Sequence, residues 1–175
     1  VARQYGRPEY EGVAYAALGY AQLLGGQLAG ALQSATAATK ALKPLGGDFA
    51  NFSHTAIFVR IWALIELNDL PAALAEAERH PEPTAADHIN QRVVHQQRLR
   101  AQFLAGAGNE ARMRFYDLLA NHRALSENGS VLWGELFLAD MLDSPDERTA
   151  LLEKTRRLAK DANMRILEQR CVQAL

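Results

Sequence analysis

The sequence predicts an all-α protein, and three observations carry that reading. Alanine and leucine dominate the 175 residues while β-branched residues are sparse, a balance that favours helix over strand. Turn signals recur at Gly6-Arg7-Pro8, Gly25-Gly26, Pro44-Leu45-Gly46-Gly47, Asn68-Asp69-Leu70-Pro71, Pro81-Glu82-Pro83, Gly106-Ala107-Gly108-Asn109, Asn128-Gly129-Ser130 and Asp143-Ser144-Pro145. Between them apolar residues fall three and four apart, as in Ile57, Ile61, Leu64 and Ile65 and again in Leu151, Leu152, Thr155 and Leu158. No stretch alternates as a strand would.

In chain order, the spacing predicts helices over 8–25 and 27–43, 48–67 and 69–80, 85–105 and 108–124, and 130–142 and 145–161, then a last helix over 163–175. Short turns make each pair antiparallel. Asp69 before Pro71, Ser144 before Pro145 and Thr84 before Asp87 are the expected N-caps, with proline or acid in the first turn. Composition bounds the rest. Hydrophobic residues make up 49% and charged residues 22%, values of a folded, soluble protein rather than a disordered one. A net charge of −1 supplies no global field for nucleic acid or anionic lipid. The single cysteine, Cys171, argues against a disulfide scaffold and for a reducing compartment. Val1 to Gly6 lack the regions of a signal peptide, and no apolar run has the length of a membrane span. A cytoplasmic location is the expectation.

The turns repeat one another. Leu23-Leu24-Gly25-Gly26-Gln27-Leu28-Ala29-Gly30-Ala31-Leu32 aligns with Ile65-Glu66-Leu67-Asn68-Asp69-Leu70-Pro71-Ala72-Ala73-Leu74, and both align with Phe103 to Arg112. A weaker copy runs from Leu142 to Ala150. The anchors Ala31, Ala73, Ala111 and Ala150 are about 40 residues apart, a period that belongs to stacked repeats. Gly19 and Ala31 are expected where two antiparallel helices cross, because only small side chains admit so close an approach.

Tyr15, Leu18, Gly19, Gly26, Ala31, Ala35, Ala38 and the closing Pro44 resemble the tetratricopeptide repeat. Later copies depart from it: Ile61, Leu99 and Leu138 stand where the first has Gly19, and Ala77, Phe115 and Lys154 where it has Ala35. The longer, looser repeats resemble the helical arrays of bacterial signal-transduction ATPases and of transcriptional activators of the LuxR and maltose-regulator types. That resemblance implies a right-handed superhelix, a solenoid of about four pairs plus a terminal helix. It also implies a single repeat domain over 1–175, with repeats near 8–43, 48–80, 85–124 and 130–161 and a partial one at 163–175. Ala2 to Pro8 reads as the tail of an earlier helix, and Met164 to Leu175 as the first helix of a further repeat, so the chain is expected to be a segment of a larger protein. Ile166, Leu167, Val172 and Leu175 would then form an apolar edge, with self-association through the last helix as its expected consequence.

No catalytic set emerges. Gly106-x-Gly108-x-x-Ala111 has the outline of a dinucleotide fingerprint, but it follows a helix and coincides with a repeat turn, which argues against a nucleotide. His54, His80, His88, His95 and His122 are read as hydrogen-bonded or solvated surface residues, since no carboxylate or cysteine completes a metal set. Cys171 is read as a buried hydrophobe. The sequons Asn51-Phe52-Ser53 and Asn128-Gly129-Ser130 matter only in a secretory compartment. No cofactor, no metal and no enzymatic activity are therefore expected, nor direct binding of nucleic acid or membrane.

Charge and aromatic placement point to recognition instead. Arg92, Arg98, Arg100, Arg112, Arg114 and Arg123 form a basic stretch, Glu135, Asp140, Asp143, Asp146 and Glu147 an acidic one, and Lys154, Arg156, Arg157 and Lys160 a second basic one. These are either solvated faces with local ion pairs or a banded surface for a partner protein. If the resemblance holds, recurring groove positions are Tyr20, Phe58 and Trp62, Gln96 and Arg100, and Glu135, a series suited to an extended peptide or a small effector. The competing reading buries Phe58 and Trp62 in the core. The expected function is a protein- or effector-binding scaffold within a larger regulator, or else a stand-alone adaptor in a complex.

Overall fold

Nine α-helices run through the residues that the structure, a computed structural model, describes: 7–45, 49–80, 82–84 and 88–175. They are α1 (Pro8–Leu24), α2 (Leu28–Leu42), α3 (Ala50–Glu66), α4 (Leu70–Ala77), α5 (Ile89–Gln102), α6 (Gly108–Ala124), α7 (Asn128–Ala139), α8 (Pro145–Asp161) and α9 (Arg165–Ala174). No strand forms among the described residues. The fold is all-helical, as the sequence predicts. Residues 1–6, 46–48, 81 and 85–87, where parts of three predicted turns, most of the helix tail read from Ala2 to Pro8 and the predicted starts of two helices fall, lie outside the described residues.

Contacts divide the chain into two compact units, Val1–Ala101 and Gln102–Leu175. The division falls inside the repeat expected over 85–124.

In the first unit two hairpins start in register, although the second helix of the first has 15 residues and that of the second only 8. Pro8 and Ala50 begin helices of 17 residues each, Leu28 and Leu70 begin their partners, and each of these pairs is 42 residues apart. The joints match as well. Gly26 (φ 76°) and Asn68 (φ 61°) take the left-handed conformation. The next residue's N–H then reaches back across the turn, Gln27 to the Gln22 carbonyl at 2.8 Å and Asp69 to the Leu64 carbonyl at 2.9 Å. Helices α1 and α2 lie so close that a Cβ on Gly19 would stand 3.2 Å from both the Ala31 carbonyl oxygen and the Ala35 nitrogen. That is the small-residue crossing the sequence predicts. Helix α3 packs against α1, α2 and α4, and it is buried all round from Ala56 to Val59 and from Ile61 to Ile65.

The second unit begins with a wide turn, Phe103–Ala107, in which Gly106 has φ 105°, and Gly108 then opens α6 with φ 52°. The glycine pair therefore serves a helix-to-helix turn. Helix α7 packs on α6 and on α8, and α9 packs on α8. The tight joints here lie elsewhere than expected. They connect α6 to α7 at Ser126 (φ 57°) and α8 to α9 at Asn163 (φ 56°), with the same reach-back bonds, Glu127 to His122 and Met164 to Ala159. Asn128-Gly129-Ser130, read as a turn, is the first turn of α7. The sequence reading sought Gly or Asn at the break, whereas the chain spends a serine there.

Capping follows the sequence at Asp69 and Ser144. The Asp69 side chain accepts the Ala72 N–H at 3.2 Å and the Ser144 hydroxyl accepts the Glu147 N–H at 3.3 Å. Thr84 lies outside any helix, Asp87 lies outside the described residues, and at α5 His88 Nδ1 accepts the Asn90 N–H at 3.2 Å. Of the four anchor alanines, Ala31, Ala73 and Ala111 are buried but Ala150 is exposed, so the fourth copy lacks its anchor. The edge expected on α9 is also divided. Leu167 and Cys171 are buried against their own chain, while Ile166, Val172 and Leu175 remain exposed. Val172 and Leu175 lie about a turn apart, and Ile166 falls on another side of the helix.

Ala73→Leu and Ala111→Leu should each overpack a buried site and cost about 1–3 kcal/mol. Urea unfolding of the two variants measures this directly; midpoints equal to the parent's would contradict the packing described.

Candidate functional site

Four of the six residues singled out by the sequence meet in the first unit. Helix α1 supplies Tyr20, α3 supplies Phe58 and Trp62, and α5 supplies Arg100. The Tyr20 and Phe58 rings are 6.3 Å apart between centroids, and Phe58 meets Trp62 edge-on at 5.5 Å. Such tilted and edge contacts are the favourable aromatic geometries. Glu66, one turn beyond Trp62, completes the group. Its Oε1 accepts the Trp62 indole N–H at 3.0 Å and an Arg100 guanidinium N–H at 3.0 Å. The sequence reading missed Glu66. Its signal is an acid at the last position of a helix whose second half is apolar apart from Arg60, four residues after a tryptophan whose N–H needs a partner.

The cluster is interior rather than the floor of an open groove. Phe58 is 8% exposed and Trp62 2%, and Gln96 and Arg100 on α5 are buried as well. The reason is visible in α3: from Ala56 to Ile65 it is apolar apart from Arg60 and is enclosed by its neighbours, so aromatics spaced by four residues serve the core. Tyr20 and Glu66, both partly exposed, form the rim. Burial pushes the Tyr20 phenol above its ordinary value, so it stays a neutral hydrogen-bonding group at physiological pH.

Glu135, expected to extend the same series, belongs to the second unit and to a different arrangement. It is 2% exposed, and its carboxylate takes Arg123 of α6 and Lys154 of α8 at 3.0 Å each on Oε1, and the Thr155 hydroxyl at 3.1 Å on Oε2. Three helices are thus tied to one carboxylate. Cys171 is buried, and that burial pushes its thiol up to about 11, which makes it a poor nucleophile.

Glu76, like Glu135, is a buried carboxylate. Arg60 and Arg79 each approach it at 3.0 Å, and His80 Nε2 lies at 3.8 Å. His80 foremost, then Arg60 and Arg79, hold its carboxyl below the ordinary range against the opposing effect of burial. The histidines correct the sequence reading in part. His122 is fully buried, with Nδ1 2.5 Å from Glu127, and His95 is buried too. Some residues of the charge bands make ties within the second unit, while Asp146, Glu147, Arg156, Arg157 and Lys160 stand exposed. Arg112 reaches the Met141 carbonyl at 3.1 Å and Asp143 at 2.6 Å and also bonds Asn109, while Arg148 lies 3.9 Å from Asp140.

Among the described residues no group of three His, Cys, Asp or Glu side chains has the arrangement of a metal site, and no helix is long and apolar enough to cross a membrane. No family model matches the chain, and no curated protein or solved structure matches it either.

Two outcomes follow from this geometry. Trp62→Ala should lower stability by about 3–5 kcal/mol, the cost of emptying a buried aromatic site; a variant that melts with the parent would return Trp62 to a surface role. Glu76, with its folded pKa below its unfolded value, adds stability that is present above the unfolded carboxylate range and is lost as pH falls through the folded pKa. The parent should therefore lose more stability than Glu76→Gln between neutral and acid pH, and parallel pH–stability curves would refute the assignment.

Proposed function

We propose that this chain is a non-catalytic helical-repeat scaffold that binds a protein segment or a small effector. In this reading it is the sensor or interaction region of a larger bacterial transcriptional regulator or signalling ATPase, with its hairpins stacked as a right-handed superhelix. The observation that carries the reading is the 42-residue correspondence of α1–α2 with α3–α4, joint for joint. Stacked hairpins of this kind expose side chains from successive helices in register, which suits recognition of extended segments. The commitments of the carboxylates support a scaffold over an enzyme: the buried Glu76 and Glu135 and the partly exposed Glu66 are each engaged by cations of the fold itself. Recognition falls to the rim of the aromatic cluster. Tyr20 offers a phenol and an apolar ring face, and Glu66 a partly exposed carboxylate, a combination suited to an apolar anchor next to a basic or hydrogen-bonding group.

A fluorescence-anisotropy screen of peptides and small effectors, repeated on Tyr20→Ala, tests the proposal. The expected result is a ligand whose affinity falls by about 2 kcal/mol in the variant, the size of an interface anchor, with the melting temperature nearly unchanged. Equal affinity for both chains would remove this rim from the account.

A further inference from the structure

Helix α1 carries a face whose equivalent in α3 is covered. At the spacing of 42 residues, Ala14, Ala17 and Ala21 of α1 correspond to Ala56, Val59 and Ala63 of α3. The α3 trio is wholly buried in a helix packed by its neighbours, whereas the α1 trio is exposed. Beside it stand Leu18 at 47% and Tyr10 at 57% exposure. No charge interrupts α1 from Gly12 to Leu24. A helix face turned to solvent ordinarily carries polar and charged groups. This one has the composition of a helix–helix contact, with small residues that admit close approach and two large apolar ones to fill the margins.

The second unit presents a complementary surface. Leu158 of α8 and Val172 and Leu175 at the end of α9 are exposed. Arg156, Arg157 and Lys160 on α8 are exposed as well and outnumber the neighbouring Glu153 and Asp161. The first turn of α1 holds Glu9 and Glu11. We propose that the α1 face docks the α8–α9 hairpin of a second copy of this chain, head to tail. The apolar residues form the seam, and the acidic first turn of α1 meets the basic flank of α8. The contact gives α1 the helical cover that α3 already has within the chain. It is independent of any ligand taken at the Tyr20 rim. Two different patches meet in it, so association continues beyond a dimer unless a ring closes.

Sedimentation across a wide concentration range tests this with two double variants, Ala17→Glu with Leu18→Glu and Val172→Glu with Leu175→Glu, each checked for helical circular dichroism. The parent should gain mass with concentration and lose it with added salt. Each variant alone should be monomeric, and an equimolar mixture should form a heterodimer that grows no further, because each partner keeps one intact face. A parent that stays monomeric overturns the proposal. So does an α1 variant that still self-associates, which would mark another surface, or a mixture that remains monomeric. Ala17→Gln and Val172→Gln serve as the milder pair if the charged variants lose their helix.

Discussion

Four helices end on the same main-chain device, and the packing of both units depends on it. One residue winds into the left-handed region, the next donates its N–H back to a carbonyl five residues earlier, and that residue's own carbonyl then starts the following helix. Gln27, Asp69, Glu127 and Met164 all hold this double position, as the bonds from Ala31, Ala73, Val131 and Glu168 record. The turn leaves few free dihedrals, so the angle between successive helices is set locally. Small residues can then specify the crossing. Gly19 against Ala31 and Ala35 works only because the joint at Gly26 delivers the two backbones to contact distance. In three of the four joints the left-handed residue is not glycine. Asparagine tolerates that conformation better than most, and serine pays a larger strain that the surrounding hydrogen bonds must offset.

Charge plays a second, more costly part in the architecture. Glu66, Glu76 and Glu135 are drawn from α3, α4 and α7, and each is met by cations from neighbouring elements. The buried pairs, those of Glu76 and Glu135, add little net stability over apolar replacements, but losing one member strands the other. Their contribution is to fix which helix meets which. Helix α5 is the extreme case. Arg92, His95, Gln96, Gln97 and Arg100 are all buried along it. Neither amide atom of Gln97 finds a hydrogen-bond partner among the described residues. An unmet buried amide is a cost rather than a bond, so the apolar and ionic contacts of the helix must outweigh it.

How much of this was legible from sequence varied with the physics at each place. Helix boundaries from Pro8 to Ala77 were readable because Pro8, Gly26, Asn68, Asp69 and Pro71 carry local backbone preferences that need no tertiary help. Ser144 was readable for the same reason. Ser126 was not, since serine rarely adopts a positive φ and Asn128-Gly129 nearby looked the stronger break. The repeat register put Tyr20, Phe58, Trp62 and Arg100 in one series, and they do meet, whereas Glu135 of the same series does not join them and the choice between groove and core for Phe58 and Trp62 stayed open. Whether Phe58 and Trp62 face solvent depends on what encloses α3, which a single helix's pattern cannot say over a stretch, Ala56 to Ile65, that is apolar apart from Arg60. Glu66 and the company of Glu135 escaped for a related reason: an ion pair between residues 34 or 19 positions apart leaves no periodic trace.

The order in which helices touch has a kinetic consequence. Most strong packing joins elements adjacent in sequence: α1 with α2, α2 with α3, α3 with α4, α6 with α7, α7 with α8 and α8 with α9. Only short loops must close before contacts compensate for the lost chain entropy, and such local topologies fold within microseconds to milliseconds. Each hairpin can form as soon as its second helix leaves the ribosome, without waiting for distant sequence. The unmade remainder then exposes little that could pair edge to edge with another nascent chain. A molecule organised this way meets the hazards of synthesis one helix pair at a time.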